Sequence, residues 1–381
     1  MILSEEQLLI QATAREFAQA ELAPFAAERD RSGEVPKEVI RTMGELGLLA
    51  TCVPEEYGGS GTTTVSYVLA LMEIARGDGG ISTIMSVQNS PVCAAILEYG
   101  TEEQKKDLLP TLATGEKIGA FLLTEPQAGS DASNLLTKAD KKGSNYFLTG
   151  TKQFITSGRI ADLAMIFGVT DSDAGKKGIS CFMSSTDSSG YIIAKEEQKL
   201  GQRTSDTCQI LLDNLVISES SMLGQIGEGY KIALANLSIG RIGIAAQAVG
   251  MANAALTHAV NYAKERKSFN QPIIDLQAVG HRLADMATEV EMARQGVLHA
   301  ASLRDAGKPC LREASMAKLF ASEMAERVCS GAIQTFGGYG YLSDYPVERI
   351  YRDVRVCQIY EVTSDIQRML ISRDLTRNGL N

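Results

Sequence analysis

The sequence predicts an α+β protein in three parts: an N-terminal helical domain over 1–117, a middle antiparallel β-barrel or sandwich domain over 118–228, and a C-terminal four-helix-bundle domain over 229–381. Three observations predict it. Capping sequences and apolar periodicity mark helices in the first part. Six short β-rich runs then follow with no helix between them, the pattern of a small barrel or sandwich. Four long apolar-periodic segments close the chain.

The elements follow in order. Ser4-x-x-Gln7 reads as a capping box that opens a helix with Leu8, Leu9, Ala12 and Phe17 on one face. Tyr57-Gly58-Gly59-Ser60-Gly61 is a loop; no strand-turn-helix context surrounds it, so it is a poor phosphate cradle. A second box, Thr101-x-x-Gln104, follows the turn Tyr99-Gly100 and opens a helix through Leu109. The strand runs are Ile118–Leu123, Asn145–Leu148, Leu163–Val169, Ile179–Met183, Tyr191–Ala194 and Thr207–Ile217, separated by turn-forming stretches such as Asp171–Gly178 and Ser184–Gly190. The closing helices run through Tyr230–Lys264, Leu276–Ala306, Arg312–Ala332 and Glu361–Asp374.

Composition excludes several functions. With 44% hydrophobic and 22% charged residues, the 381-residue chain is ordinary for a soluble globular protein with a large core. Its net charge of −9 and lack of a basic run argue against nucleic-acid binding. Seven cysteines form no C-x-x-C pair and mostly sit among apolar neighbours, so buried reduced thiols are expected, as in a cytosolic protein. The three histidines, 258, 281 and 299, are not spaced as metal ligands, so no metal is expected. No long uninterrupted apolar stretch and no leader are visible, so neither membrane insertion nor secretion is expected.

Three segments and one residue carry chemistry. Leu123-Thr124-Glu125-Pro126-Gln127-Ala128-Gly129-Ser130-Asp131 stands where helices give way to strands. It reads either as a capped Pro/Gly turn or as backbone and hydroxyls brought close to a ligand. Gln334-Thr-Phe-Gly337-Gly338-Tyr339-Gly340-Tyr341, continued by Asp344, Arg349 and Asp353, either ends a helix or passes tightly beside a cofactor. Arg266-Lys267-Ser268-Phe269 with Gln277 is either a solvated helix end or a pyrophosphate and ring-stacking site. Glu361, in Gln358-Ile-Tyr-Glu-Val-Thr-Ser-Asp365, is a carboxylate that, beside a flavin, could take a proton from carbon. No G-x-G-x-x-G follows a strand, so a Rossmann dinucleotide site is not expected.

Taken together, these segments resemble the acyl-CoA dehydrogenase family over essentially the whole chain. The stretch Gln334–Asp353 fits the family signature, and Thr124–Asp131 fits the core of the earlier one, with departures at Leu122 and Asn134. Short-chain (butyryl-CoA-like) or short/branched-chain members look most similar, through Gly240-Arg241-Ile242-Gly243-Ile244-Ala245-Ala246-Gln247-Ala248.

The resemblance implies FAD as cofactor. Phe121, Leu123, Thr124, Phe154 and Thr156 would line the isoalloxazine, with Gly129, Ser130, Thr363 and Asp365 close to the cofactor. Arg266, Ser268, Phe269, Gln277, Gln334 and Gly338 would hold the diphosphate and adenosine, of a neighbouring subunit. Ser130, Arg241, Tyr360 and Glu361 would face the acyl-CoA, with Glu361 as the α-proton base and the β-hydrogen leaving as hydride to flavin N5. The resemblance further implies an electron-transferring flavoprotein as acceptor, a homotetramer, and a cytoplasmic location in preference to the mitochondrial matrix. An oxidase or monooxygenase of the same architecture, or a non-catalytic CoA- or flavin-binding assembly protein, are the rival readings; keeping Glu361 speaks against both.

Several positions depart from the family. Val362 follows the base where glycine is usual, and a β-branched residue resists positive φ. Asn270 stands for glycine, a mild change because asparagine tolerates the left-handed region. Phe154 replaces a tryptophan and loses its N–H. The position before Arg241, which holds an alternative base in some relatives, is Gly240. Ile84–Pro91 is expected in the acyl pocket, and Ser82 lacks the arginine that binds a distal carboxylate, favouring a neutral short or branched chain.

Overall fold

A computed structural model describes residues 1–379. The first part holds seven helices: α1 Glu5–Phe17, α2 Ala26–Ser32, α3 Lys37–Glu45, α4 Thr64–Gly77, α5 Gly79–Val87, α6 Ala94–Tyr99 and α7 Glu102–Ala113. Both capping boxes form, at Ser4/Gln7 and Thr101/Gln104. The buried face of α1 differs from the expected one. Ala14 and Phe17 are buried with Ile10 packed against the core, whereas Leu8 and Leu9 face out, because the apolar row that meets α4 is spaced i, i+4, i+7 from residue 10. Helix α7 also continues past Leu109 to Ala113, carrying Pro110.

Eight strands follow: β1 Gly119–Leu122, β2 Lys138–Lys142, β3 Asn145–Thr156, β4 Leu163–Val169, β5 Ile179–Ser185, β6 Tyr191–Glu196, β7 Thr207–Ser218 and β8 Met222–Leu223. They form one sheet in the order β6-β7-β3-β2-β4-β5-β8, with β1 alongside β4. The pairing is mainly antiparallel, but β1 and the end of β2 run parallel to β4, so the sheet is mixed at that point. Strand β2, Lys-Ala-Asp-Lys-Lys, buries only Ala139 and carries no β-branched residue, which is why its sequence gives no strand signal.

The chain closes with α8 Gly229–Glu265, a short hairpin of β9 Lys267–Ser268 and β10 Gln271–Pro272, then α9 Gln277–Asp305, α10 Leu311–Phe336, α11 Pro346–Val354 and α12 Ser364–Asn378. Glu361 lies outside the last helix, in the turn before it, rather than at its start as the periodicity suggested. Helix α8 is buried on all sides from Ile239 to Ala252. Gly250 lets α4 approach closely, since a Cβ there would overlap the Met72 carbonyl.

Two segments, Gly79–Tyr99 and Gly229–Glu265, are long and apolar enough to cross a membrane, contrary to the expectation that no such stretch exists. Their membrane-like windows are 83% and 78% buried, so here they are core segments. All seven cysteines are free; five are buried, but Cys52 is exposed and Cys310 half-buried.

Candidate active site

The local chain path determines how Glu361 is presented. After α11, a 3-10 turn over Arg355–Gln358 brings Cys357 into the core, and Thr363 caps α12 by accepting from the Ile366 N–H. Between them, Val362 N–H donates to the Tyr360 carbonyl at 2.7 Å, two residues back, and Glu361 has φ +61°. This is a γ-turn centred on Glu361, a geometry that costs about 1–3 kcal/mol in a non-glycine residue. The positive φ falls on the glutamate; Val362 keeps an ordinary negative φ, so valine in place of glycine brings no backbone conflict.

Contacts on both sides hold the turn. The Tyr360 hydroxyl donates to Gln247 Oε1 at 2.9 Å, and Lys318 Nζ and Gln367 Nε2 donate to the Val362 carbonyl at 2.7 and 3.1 Å. Gln247 in turn donates to Ser82 Oγ (2.7 Å) and Thr83 Oγ1 (2.9 Å), and Thr83 donates to Gln202 Oε1 at 2.5 Å. Gln202 reaches Asp353 through its backbone N–H. The network therefore joins α5, α8, the loop after β6 and the turn itself. Burial pushes the Asp353 carboxyl up to about 7.

The Glu361 carboxylate lies against Gly240, in the space that a Cβ there would need. Its Oε2 is enclosed and meets no hydrogen-bond donor among the described residues. Burial pushes its pKa up to about 7, opposed by Arg241 and Lys318. A carboxyl poised there is half ionised near neutrality, the condition for an effective general base. Arg241 is only 5% exposed; it touches Ser238 Oγ at 3.3 Å and leaves Nε without a partner among the described residues. It thus lies toward the Glu361 carboxylate more than the surface.

One turn along α8, a Cβ on Gly243 would touch the Tyr67 and Ser86 hydroxyls. A cavity of about 540 Å³ begins on this side, with Tyr67, Ile239, Asn89, Ser90 and Ala94 in its wall. The expected acyl-pocket stretch is thus only partly in place. Ser86 and Ser90 face these spaces, but the Gln88 amide is spent on the backbone of Leu112, Lys117 and Gly119, and the Asn89 amide, though in the wall, on Thr51, Leu48 and Met85. Ser82 is fully buried in the polar network, donating to the Gly79 carbonyl and accepting from Gln247.

The expected flavin-ring residues gather beside β3. Lys152 Nζ donates to the Leu123 carbonyl at 3.2 Å, and Gln153 N–H to the Thr124 carbonyl at 2.9 Å, which sets Leu123 and Thr124 beside Phe154 and Thr156. Glu125 anchors this loop: its carboxylate accepts from Lys152 Nζ (2.7 Å), Leu136 N–H (2.6 Å) and Thr137 N–H (3.1 Å). Burial works against its charge, but these donors hold its pKa below the usual value. Phe121 packs edge-on against Phe167 at 4.8 Å. Phe154 is 64% exposed and held at φ +58° by a bulge in β3. Thr156 and Tyr360 share the wall of a cleft of about 280 Å³. Gly129, Ser130 and Asp365 are exposed, with Thr363 half-buried.

The expected diphosphate residues form a second group. Phe269 and Asn270, at φ +51° and +63°, are the two-residue loop of the β9–β10 hairpin, and both strained residues are displayed to solvent. Arg266 lies over the Tyr339 ring at 5.6 Å and shares a cleft of about 380 Å³ with Gly337 and Gly338. A Cβ on Gly338 would meet open space, so backbone is accessible there. Ser268 is half-buried, and Gln277 and Gln334 are exposed. One exposed aromatic at positive φ, Phe269, open glycine backbone and an arginine fit an extended ligand with an aromatic ring and a diphosphate.

Lys318, Gln247 and Gln202 were not singled out from the sequence. Lys318 had a signal: it interrupts the small-residue row Ala314, Lys318, Ala321, Ala325 on the buried face of α10.

Comparison with known proteins agrees. The chain matches the family descriptions "Acyl-CoA dehydrogenase, N-terminal domain" over 4–116, "middle domain" over 120–215 and "C-terminal domain" over 227–376. An acyl-CoA dehydrogenase of Bacillus subtilis (strain 168) is 48% identical over 98% of this chain and 99% of its own. Butyryl-CoA dehydrogenase of Megasphaera elsdenii superposes with a TM-score of 0.97 at 41% identity, covering 99% of this chain and 100% of that one. A chain in a structure described as the electron transferring flavoprotein of Acidaminococcus fermentans superposes at 0.98, with 44% identity over 99% of this chain and 100% of that one. The chain belongs to the acyl-CoA dehydrogenase family. It is a flavin-dependent oxidoreductase whose cofactor is FAD.

Proposed function

We propose that the chain dehydrogenates a short or branched acyl-CoA between Cα and Cβ, with Glu361 as the base that takes the α-proton. The observation that carries this reading is the Glu361 carboxylate: enclosed, without a donor on Oε2, raised to about 7 and fixed over Gly240 by a γ-turn. FAD, when bound, supplies the hydride acceptor.

The chain's own residues do the rest. An α-proton of a thioester is weakly acidic, so the carboxylate must be both basic and close; burial supplies the first and the pinned turn the second. The Glu361 N–H is a backbone donor available to the thioester oxygen as charge develops there. Arg241, beside the carboxylate, opposes the effect of burial and keeps a share of the base ionised at neutral pH. Gly240 has no side chain and so leaves Glu361 as the sole carboxylate on this face of α8 among the described residues. Thr124, Phe154 and Thr156 offer the apolar wall and hydroxyls for the flavin ring, and Arg266 with the Gly337–Gly338 backbone offers a diphosphate site. The likeness to a butyryl-CoA dehydrogenase supports a short chain, and that to a chain in an electron-transferring flavoprotein structure supports such a flavoprotein as acceptor. A soluble cytoplasmic homotetramer, with the diphosphate group of residues serving a neighbouring subunit, completes the reading.

The test is an anaerobic titration of the FAD-loaded protein with straight and branched acyl-CoAs, following flavin absorbance. Bleaching by C4–C5 chains that vanishes in an FAD-containing Glu361→Gln variant supports the reading; bleaching that persists in the variant removes Glu361 from the role.

A further inference from the structure

The buried lysine of α10 has no evident structural reason to be there. Lys318 is fully buried in a row whose other members are alanines. Enclosing an ammonium group costs several kcal/mol unless it is well paired, and an apolar side chain of similar length would fill the same space more cheaply. Yet Lys318 makes no ion pair within 4.0 Å among the described residues. Its hydrogen bond, 2.7 Å, goes to the carbonyl of Val362, the residue after the base.

The geometry of the turn gives that bond a meaning. The γ-turn directs Val362 N–H back to Tyr360, and the Val362 carbonyl toward α10. Gln367 also reaches this carbonyl, but from α12, the helix that the turn itself starts, so it cannot fix the turn against the rest of the protein. Lys318 is the contact from another long helix on the downstream side of Glu361, as Gln247 of α8 is on the upstream side through Tyr360. Without it the downstream side of the turn loses its tie to α10, and relaxation of Glu361 from φ +61° toward a negative value would swing the side chain away from Gly240.

We infer that Lys318 is a positioning residue for the base: its ammonium group, bonded to the Val362 carbonyl, locks the strained turn that sets the Glu361 carboxylate over Gly240. This rests on Glu361 being the base. The same charge acts through space. Around Lys318 stand Cys357, Glu361, Arg241 and Glu323; burial lowers its own pKa to about 8, and Glu361 is among the groups that resist this. At neutral pH the lysine is charged, so it favours the ionised carboxylate.

The experiment uses the FAD-loaded enzyme with Lys318→Met, Lys318→Gln and Lys318→Arg, and Glu361→Gln in parallel. It measures FAD content, thermal midpoint, and the rate and pH dependence of flavin reduction by butyryl-CoA. The expected Lys318→Met protein keeps FAD, melts no lower than the parent, and reduces flavin about 30-fold or more slowly at saturating substrate, with apparent KM changed by no more than about threefold. Losing the cation raises the Glu361 pKa, so the acid limb of the profile moves to higher pH, by about one unit. Lys318→Arg recovers part of the rate. Parent-like rate and an unmoved acid limb in Lys318→Met overturn the inference. So does loss of FAD and of thermal stability in the Met and Gln variants alike, which would make the lysine a folding residue. If Glu361→Gln is as fast as the parent, it is the assignment of the base that fails.

Discussion

The carboxylate of Glu361 fills the volume beside Gly240 that any larger residue there would claim. A residue in the middle of a buried helix and a residue in a turn 121 positions later thus define one another's identity. Gly240 looks unfavourable by helix propensity, which disfavours glycine by about 1 kcal/mol against alanine.

Gly240→Ala is therefore expected to separate stability from activity. Local helix propensity improves, while the new methyl overlaps the carboxylate and displaces it. Flavin reduction by butyryl-CoA should fall by about 100-fold with FAD content unchanged. Stopped-flow reduction together with a thermal melt checks both halves.

The buried carboxyls make stability depend on pH in a stated direction. Glu361 and Asp353 are both raised to about 7 from 4.5 and 3.8. The folded state therefore binds more protons than the unfolded one between about pH 4 and 7, and the stability this gives is lost as pH rises through 7. Glu361→Gln, which cannot ionise, should be more stable than the parent at pH 8 by on the order of 2 kcal/mol and nearly equal to it at pH 4.5. Urea titrations at the two pH values decide it; equal differences at both would contradict the burial of the carboxylate.

Activity should follow the same group with the opposite sense, because a base, the role proposed for Glu361, works ionised. Below pH 7 the logarithm of kcat/KM is expected to fall by about one per pH unit, provided the free enzyme's base controls the limb. A profile flat down to pH 5.5 would contradict the upward push of burial on Glu361.

Much of the fold was legible because its signals are local. The capping boxes at Ser4 and Thr101 and the apolar periods of α8, α9 and α10 need no distant partner to be read. The role proposed for Glu361 could be read only from its surroundings, since a glutamate has no local mark of its own. Its supports were hidden for a physical reason: Gln247 and Gln202 are polar residues whose partners lie far away in sequence, and such pairings leave no period. Val362 shows the same limit. Its branched side chain left open either an ordinary turn or a reshaped loop; the strained φ sits one residue earlier, on Glu361 itself.

Tyr360→Phe tests the upstream support. It removes the hydroxyl bonded to Gln247 and leaves that buried amide oxygen short of a donor, at a cost of about 1–2 kcal/mol. A rate loss of about tenfold with FAD retained is the expected result from single-turnover kinetics.

Lys152→Met should act on the cofactor instead. Removing the ammonium leaves Glu125 buried without its counter-charge, which costs about 3–5 kcal/mol, and frees the Leu123 carbonyl beside the flavin-ring loop. The purified variant is expected to contain less FAD than the parent, read from the ratio of flavin to protein absorbance.

The links from Ser82 through Gln247 to Tyr360, and from Lys318 to Val362, also bear on how the molecule is made. The turn they hold is among the last segments of the described chain to be synthesised, and its partners belong to helices already completed by then. Domains of a nascent chain fold roughly from the N-terminus onward. The N-terminal helices and the sheet precede this turn in the chain, whereas α12 of the C-terminal part follows it. A chain cut short before Glu361 would keep the earlier helices and the sheet but lack both α12 and the carboxylate on which the proposed chemistry depends.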